Sequence, residues 1–314
     1  IKGLFSKLKL RFFYCLYDWA NSPFATVIIT FIFAAYFEKL IVGDPEKASF
    51  LWGWAISISA LLVAIISPVL GKIADDNNSH KFWLSLFTFL SAIGASLFWF
   101  AYPSNNFIFY TLFIVIFSNT FFELAGVFYN SQLIEYSSKN KVGRLSGQSW
   151  AAGYMGGIIC LLIILYGFVQ TDTPLLGIEK NLSANIRIAG PLVAVWFILF
   201  SFPLILSLPK ASKTLNNSFK KSFLLVLRDL KTIFYGNNKG KFLLSRMIYT
   251  DGLNTLFAFG GLYAAGTFGM EFAEIIIFGI IINITAGIGA LLFSYLDDIL
   301  GPKKVIAVSL LFII

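Results

Sequence analysis

Charged residues are scarce in this sequence. Asp, Glu, Lys and Arg make up 13% of its 314 residues, whereas soluble domains typically contain about 25%. Apolar residues make up 58%, and the mean hydropathy is +0.79. So little charge excludes an ordinary soluble domain, and we expect an integral membrane protein.

Histidine and cysteine are rarer still. His80 is the single histidine, and the two cysteines, Cys15 and Cys160, both lie in apolar runs. This excludes an H-E-x-x-H motif, a Cys/His metal-ligand cluster and a disulfide framework, and a Walker-type glycine loop is also missing. The sequence therefore predicts no enzyme, no cofactor and no metal site. It also excludes an ATP-driven pump unless a separate subunit supplies the motor.

Long apolar runs make up most of the chain. Eight blocks come close to or exceed the roughly 20 residues that a helix needs to cross a ~30 Å hydrocarbon core. These predicted spans are residues 12–41, 50–71, 82–102, 107–135, 147–170, 189–208, 242–266 and 270–295. A ninth run, Val305–Ile314, is cut short. We therefore expect an all-α polytopic membrane protein, of which this chain, starting at Ile1, is a fragment.

The basic residues predict the orientation of the chain. If the N-terminus is cytoplasmic, 19 of the 24 Lys and Arg residues fall in inside segments, and only Lys47, Lys180 and Arg187 fall outside. This is the distribution of the positive-inside rule. The net charge of +8 therefore indicates topology and attraction to an anionic inner leaflet, not nucleic-acid binding. No obligatory protein partner is evident.

The longest polar interval, residues 209–241, separates spans six and seven. It divides the chain into a predicted six-helix bundle, 1–208, and an incomplete C-terminal bundle, 242–314. Within the interval, helical spacing places Phe219, Phe223, Leu227, Leu230 and Phe234 on one side and Lys220, Lys221, Arg228 and Lys231 on another. This pattern predicts an amphipathic helix on the inner membrane surface, acting as a linker or, alternatively, as a regulatory segment.

The first and seventh spans repeat one another. "DWANSPFA" starts at Asp18 and "DGLNTLFA" starts at Asp251, so that Asn21 matches Asn254 and Ser22 matches Thr255. Both spans start inside, so the repeat is parallel, with six spans per copy. This is the arrangement of a transporter built from two six-helix halves.

A second pair of motifs follows spans two and eight. "GKIADDNNSHK", residues 71–81, and "YLDDILGPKK", residues 295–304, both carry a doubled Asp followed by Lys. These loops resemble the signature of the major facilitator superfamily, although Asn78, Ser79 and His80 replace the usual glycine and basic residues. Together with "YDWANSPFATVI" and "GRLSGQSWAAGYMGG", they resemble the branch that contains autophagy-associated vacuolar amino-acid effluxers and uncharacterised bacterial relatives.

The resemblance implies a secondary transporter that works by alternating access. It makes amino acids the leading solute class, with a sugar, an organic anion or a drug-like compound as alternatives. A membrane-embedded enzyme and a non-transporting receptor also stay open. The Lys-, Asn-, Ile- and Phe-rich usage favours a bacterial plasma membrane over a vacuolar membrane.

The repeated polar face predicts the solute or ion site. Asp18, Asn21 and Ser22 share one helical face, and Asp251, Asn254 and Thr255 share the matching face. Acids at membrane depth are costly, so both faces should point into a shared cavity. Pro23 should also free the Trp19 carbonyl as an acceptor beside Asp18. Alternatively, Asp18 only satisfies the start of its helix, and Arg11 and Arg246 act as counter-ions.

Span four supplies a third acid. Asn119, Glu123, Gly126 and Asn130 form a polar stripe at helical spacing. Glu123 has no partner evident in the sequence, so it is a candidate proton carrier, or alternatively it forms a helix-to-helix hydrogen bond. In span five, the spacing of Ser149, Gly153 and Gly157 predicts close helix packing in preference to solute contact.

The loops after spans two and eight are candidate inner gates. Their charges would engage a neighbouring helix in one of two states. The candidate gate residues are Gly71, Asp75 and Lys81 in the first loop and Asp297, Gly301, Lys303 and Lys304 in the second.

Overall fold

The computed structural model describes residues 2–137, 141–209, 223–226, 228 and 238–313, the side chains of 2–7 and 313 excepted. Every regular element in these ranges is helical. Seven segments are long and apolar enough to cross a membrane. The fold is therefore that of an all-α polytopic membrane protein, as predicted.

The first span, α1, is a continuous helix with three changes of pitch. It begins as the α-helix Lys2–Pro23, becomes a π-helix over Phe24–Phe31, returns to an α-helix over Ile32–Tyr36 and ends as a π-helix over Phe37–Val42. The first change comes directly after Pro23, whose ring nitrogen has no N–H to donate. The chain then turns at Gly43, in the left-handed region with φ 74°.

The other spans follow in order and are mostly longer than predicted. They are α2 (Pro45–Asn77), α3 (His80–Leu97), α4 (Ile108–Ser131), α5 (Val142–Ile164, continued as a π-helix over Leu165–Val169), α6 (Ala189–Ser207), α7 (Asn238–Gly266) and α8 (Phe272–Leu300). A ninth helix, α9, covers Pro302–Ile313. The α7 helix forms at the seventh predicted span, 242–266. It is not among the seven segments that are apolar enough to cross a membrane, because Arg246, Asp251 and Asn254 lower its hydropathy.

Helix α1 lies at the centre of the packing. It packs against α5 and α6, while α3 lies against both α4 and α6, and α2 lies against α4. The buried apolar side chains form two clusters. One surrounds the C-terminal half of α1, which is its outer half in the predicted orientation, and includes Phe33, Phe37 and Trp52. The other surrounds the N-terminal, inner half and includes Tyr17 and Phe128.

The second repeat contacts the first through two helices. Helix α8 packs along α5, and α7 packs against the outer half of α1 and against α2. Most of the predicted amphipathic linker lies outside the described residues, because only 223–226 and 228 of it are described. The bundle boundaries at 208 and 242 therefore stay predictions.

Candidate functional site

Asp18 lies where α1, α4 and α5 meet, and its carboxylate has several polar neighbours. The Asn21 side chain donates to Asp18 Oδ1 at 3.4 Å, and Ser22 donates to Asn21 Oδ1 at 3.4 Å. The side chains of Tyr129 on α4 and Ser149 on α5 also lie within reach of the Asp18 carboxylate, and the Ser149 hydroxyl donates to the Ser146 carbonyl of its own helix at 2.8 Å. The polar contacts of Asp18 are therefore with other residues of the first repeat.

Stacked tyrosines surround this acid. The Tyr129 ring stacks on Tyr14 at a centroid distance of 4.3 Å and on Tyr17 at 4.6 Å. The Tyr129 hydroxyl donates to the Tyr14 carbonyl at 3.0 Å, and the Tyr17 hydroxyl lies 2.7 Å from Thr88 Oγ1. Nothing in the sequence distinguishes these tyrosines as functional, since an aromatic residue in a membrane span usually only packs against apolar neighbours.

The Trp19 carbonyl that Pro23 frees is used inside the bundle. The indole of Trp196 on α6 donates to it at 3.0 Å, and the Trp19 and Trp196 rings stack with centroids 5.7 Å apart. The prediction of a free acceptor beside Asp18 is therefore wrong. A donor 177 residues away in the sequence satisfies it.

The arginines proposed as counter-ions do not pair with the two acids. Arg11 Nε donates to the Tyr136 carbonyl at 2.9 Å, which ties the start of α1 to the end of the fourth span. Among the described residues, the ion pairs are Lys72 with Asp76 and Arg144 with Asp298, and His80 Nε2 lies within hydrogen-bond distance of Asp75 Oδ1. Neither Asp18 nor Asp251 takes part in one.

The small residues of α5 form a seam against two helices, as predicted. A methyl group on Gly153 would contact Ser22 Oγ and lie 3.2 Å from the Asp18 carbonyl oxygen. On another side, a methyl group on Gly157 would lie 3.2 Å from Asn283 Oδ1 of α8. The seam therefore packs backbone close to backbone, and it joins the two repeats.

The polar stripe of α4 divides into a buried part and an open part. Asn119 is buried and donates to Ser59 Oγ of α2 at 2.9 Å. Glu123 and Asn130 are exposed, and a methyl group on Gly126 would meet no atom within 4 Å. Glu123 makes no hydrogen bond or ion pair with any residue that the structure describes. The alternative that it is held in a helix-to-helix hydrogen bond has no support.

The matching face of α7 is open. Arg246, Asp251, Asn254 and Thr255 are all exposed, and the Thr255 hydroxyl donates to the Asp251 carbonyl of its own helix at 2.9 Å. No described contact joins them to Asp18, Asn21 or Ser22. The structure thus does not bring the two polar faces into contact, and their shared role stays a prediction.

At its outer end, by contrast, α7 lies tightly against α1. A methyl group on Gly261 would lie 2.8 Å from Phe31 Cα and 2.9 Å from the Phe31 carbonyl oxygen. Further out, Lys39 Nζ donates to the Met270 carbonyl, just after α7. We call this contact of Thr30, Phe31, Glu38 and Lys39 with Gly261, Gly266 and Met270 the outer gate.

The first predicted gate loop is largely helical. Gly71 and Asp75 lie in the last turns of α2, which runs to Asn77, so the prediction that they lie in a loop is wrong. Asp75 Oδ1 pairs with His80 Nε2 at 3.0 Å. Lys81 Nζ donates to the carbonyls of Leu206 and Leu208 at 3.2 and 2.9 Å, which caps the end of α6.

The second predicted gate segment touches the other repeat. A methyl group on Gly143, at the start of α5, would contact the Asp297 carboxylate of α8. The residues that follow these two form an ion pair that the sequence did not predict, with Arg144 Nε 3.4 Å from Asp298 Oδ2. Arg144 also lies 4.6 Å from the centroid of the Tyr295 ring. We call these residues the inner latch. Lys303 and Lys304 stay exposed at the start of α9.

Both gate segments end at a residue with positive φ. Asn78 follows α2 with φ 49° and ψ 41°, in the left-handed region that asparagine tolerates. Gly301 follows α8 with φ 84° and ψ 152°, a conformation open essentially only to glycine. The two segments therefore end in different backbone conformations.

The sequence of this chain is similar to those of two known families and of bacterial proteins. A profile described as "Vacuole effluxer Atg22 like" matches residues 134–314, and the Major Facilitator Superfamily profile matches residues 2–161. The Uncharacterized MFS-type transporter YxiO of Bacillus subtilis (strain 168) is 24% identical over 311 residues, covering 94% of this chain and 69% of that protein. An uncharacterized protein of Aquifex aeolicus (strain VF5) is 25% identical over 264 residues, covering 83% of this chain and 59% of its own length.

A solved structure shares the fold. It is a partially occluded inward-open conformation of the xylose transporter XylE from E. coli, matched with a TM-score of 0.59 at 13% identity. The match covers 93% of this chain and 73% of that one. The helix order, the parallel repeat and these matches agree, and the chain belongs to the major facilitator superfamily, in the branch of the Atg22-like vacuole effluxers.

Proposed function

We propose that the full protein moves a small polar solute across the membrane by alternating access, and that amino acids are its solute class. The observation that carries this proposal is the one-sided contact of α7. Its outer end is packed on α1 through Gly261, while no described contact joins Asp251 or Asn254, in its inner half, to Asp18 or Asn21 of α1. A helix closed outside and open inside is what an inward-facing carrier needs.

The solute class rests on the family. The family profile that matches the C-terminal part of the chain is described as vacuole effluxers. The charged and amide groups that would orient a zwitterion come from Asp18, Asn21, Asp251 and Asn254. Arg246, five residues before Asp251, would provide a cation for its carboxylate. A sugar, an organic anion or a drug-like compound is the second candidate class.

The direct test uses the full-length protein. Amino acids, sugars and organic anions are screened for a rise in thermal stability, because a ligand that binds the folded state stabilises it by mass action. Hits are then tested for uptake in vesicles. We expect a rise of the melting temperature for at least one amino acid and uptake of the same compound. Stabilisation by sugars alone would contradict the amino-acid proposal.

The same vesicles test the enzyme and receptor alternatives. A transporter delivers the solute unchanged, so mass analysis of the internal pool should return the compound that was added. A chemically altered product would indicate an enzyme. A receptor would bind the solute but never accumulate it.

The orientation is part of the proposal. The positive-inside distribution supports an N-terminus and an inner latch on the cytoplasmic side of a bacterial plasma membrane. A cysteine at exposed Leu176, in the loop after α5, should react with an impermeant thiol reagent in whole cells. A cysteine at exposed Asp75 should react only after the cells are opened.

A further inference from the structure

Glu38 is a buried carboxyl group in the outer gate. It lies in the last π-helical turns of α1 and is only 2% exposed. Its Oε1 faces Gly266, where a methyl group would lie 2.7 Å from it. Its Oε2 is buried without a hydrogen-bond partner among the described residues. A buried ionised carboxylate with a free oxygen is costly, so this group needs an explanation.

The helix ends around Glu38 disfavour its ionised form. Helix α1 ends at Val42 and α7 ends at Gly266, so Glu38 lies at two C-terminal ends. Unpaired carbonyl groups give each such end a partial negative charge. A protonated carboxyl group would donate to one of these carbonyls, whereas a carboxylate would be repelled by them.

The charged groups on neighbouring elements do little to offset this. Lys39 is the described cation that acts on Glu38, but its ammonium group donates to the Met270 carbonyl and lies 5.9 Å from the Phe272 ring centroid. The start of α2 would attract an anion, but Asp44 already caps it by accepting from the Lys47 N–H at 3.1 Å. The remaining charged groups nearby are Glu46 and Lys47 on α2 and Glu271 and Glu274 on α8. The first two are exposed, and the other two cap α8 reciprocally.

We propose that Glu38 is the proton-binding residue of the outer gate. When the gate closes, the carboxylate takes up one proton from the outside and becomes a neutral carboxyl group. When α7 separates from α1, water reaches Glu38 and the proton leaves to the outside. The inference rests on the alternating access proposed above. It adds a proton site distinct from Glu123, which lies on the open inner face of α4.

The test measures gate opening directly. In the full-length protein with Cys15→Ala and Cys160→Ala, spin labels are placed at Leu40→Cys on α1 and Phe268→Cys after α7, which are 37% and 65% exposed. The distance between the labels is measured in vesicles as the outside pH is varied. We expect the long-distance, open population to grow as the outside pH rises. Glu38→Gln, which mimics the neutral acid, should hold the short distance at every pH.

A matched control and a second measurement complete the design. Glu46→Gln removes an exposed acid from the same outer surface and should keep the parent's pH response. The infrared spectrum of the parent in its closed form should contain a carbonyl band of a protonated carboxyl group that Glu38→Gln lacks.

The proposal is overturned if the parent's distances do not respond to pH, or if Glu38→Gln responds as the parent does. The pH response of the labelled parent does not depend on whether Glu38→Gln folds. None of the measurements requires a solute, so a failed solute screen and a failed Glu38 proposal give different results. Labels that never separate under any condition would count against alternating access itself.

Discussion

At the scale of single residues, the two repeated acids differ in their surroundings. Asp18 is linked to Asn21, Ser149 and Tyr129, while the described contacts of Asp251 are limited to its own helix. The sequence correctly predicted the repeat but not this asymmetry, because the partners of Asp18 come from α4 and α5, more than 100 residues away. Only the folded packing brings them together.

This asymmetry leads to a prediction for paired variants. Asp251→Asn should abolish uptake and leave the melting temperature near that of the parent, because it removes a charge and no packing. Asp18→Asn should lower the melting temperature as well, since hydrogen bonds to charged groups contribute about 1.5–3 kcal/mol each. Vesicle uptake and thermal unfolding measure the two effects, with the exposed Asp172→Asn as the control. Undiminished uptake by Asp251→Asn would disprove its role.

Glu123 is the candidate coupling acid on the inner side. Glu123→Gln cannot release a proton, so we expect downhill exchange to persist while uphill accumulation loses its dependence on a pH gradient. Glu135→Gln, at another exposed acid of the fourth span, should behave as the parent. Uphill transport by Glu123→Gln at the parent's rate would show that the coupling proton is carried elsewhere.

At the scale of the helices, the α5 seam was predictable and the π-helical turns of α1 were not. Small residues four apart indicate close packing wherever they occur, and the seam needed no knowledge of its partners. A π-helix depends on how the surrounding helices hold the backbone after Pro23, and the local sequence does not contain this. Similarly, only the packed bundle supplies Trp196 as the donor to Trp19.

The seam gives a prediction for two glycines. Gly153→Ala should destabilise the protein, because the added methyl group would contact Ser22 Oγ and overpacking costs about 1–3 kcal/mol. Gly252→Ala places its methyl group in open space and should be neutral or stabilising by about 0.5–1 kcal/mol. Thermal unfolding of the two variants in detergent compares them. Equal melting temperatures would mean that the seam is looser than the structure describes.

At the scale of the whole molecule, the described parts of the two repeats meet along the α5–α8 pair, which includes the inner latch, and where α7 packs on α1 and α2. Helices α5 and α8 pack along each other, the outer gate joins α1 to α7, and the inner latch joins Arg144 to Asp298. The sequence predicted the gate segments from their doubled acids. It did not predict the pairing of Asp298 with Arg144, because Arg144 lies on a helix that is distant in the sequence.

The inner latch is tested by a double-mutant cycle. Arg144→Gln and Asp298→Asn should each lower the melting temperature, and the double variant should lose less than their sum. We expect a coupling of about 0.5–1 kcal/mol, at the low end because the Arg144 side chain is 36% exposed. Exchanging the two charges, as Arg144→Asp with Asp298→Arg, should recover part of the loss. Strictly additive effects would show that the pair contributes nothing as a pair.

The change of pitch after Pro23 has a geometric consequence for α1. Each residue of an α-helix advances the side-chain direction by about 100°, and a π-helical turn holds one residue more than an α-helical turn. The π-helical segment therefore gives the directions of Asp18 and Glu38 around the axis a different angle from the one that a regular α-helix would give. Deleting one residue within Phe24–Phe31 would rotate Glu38 out of the outer gate while leaving Asp18 in place. The number of residues between Asp18 and Glu38 thus determines the directions of these two side chains relative to each other.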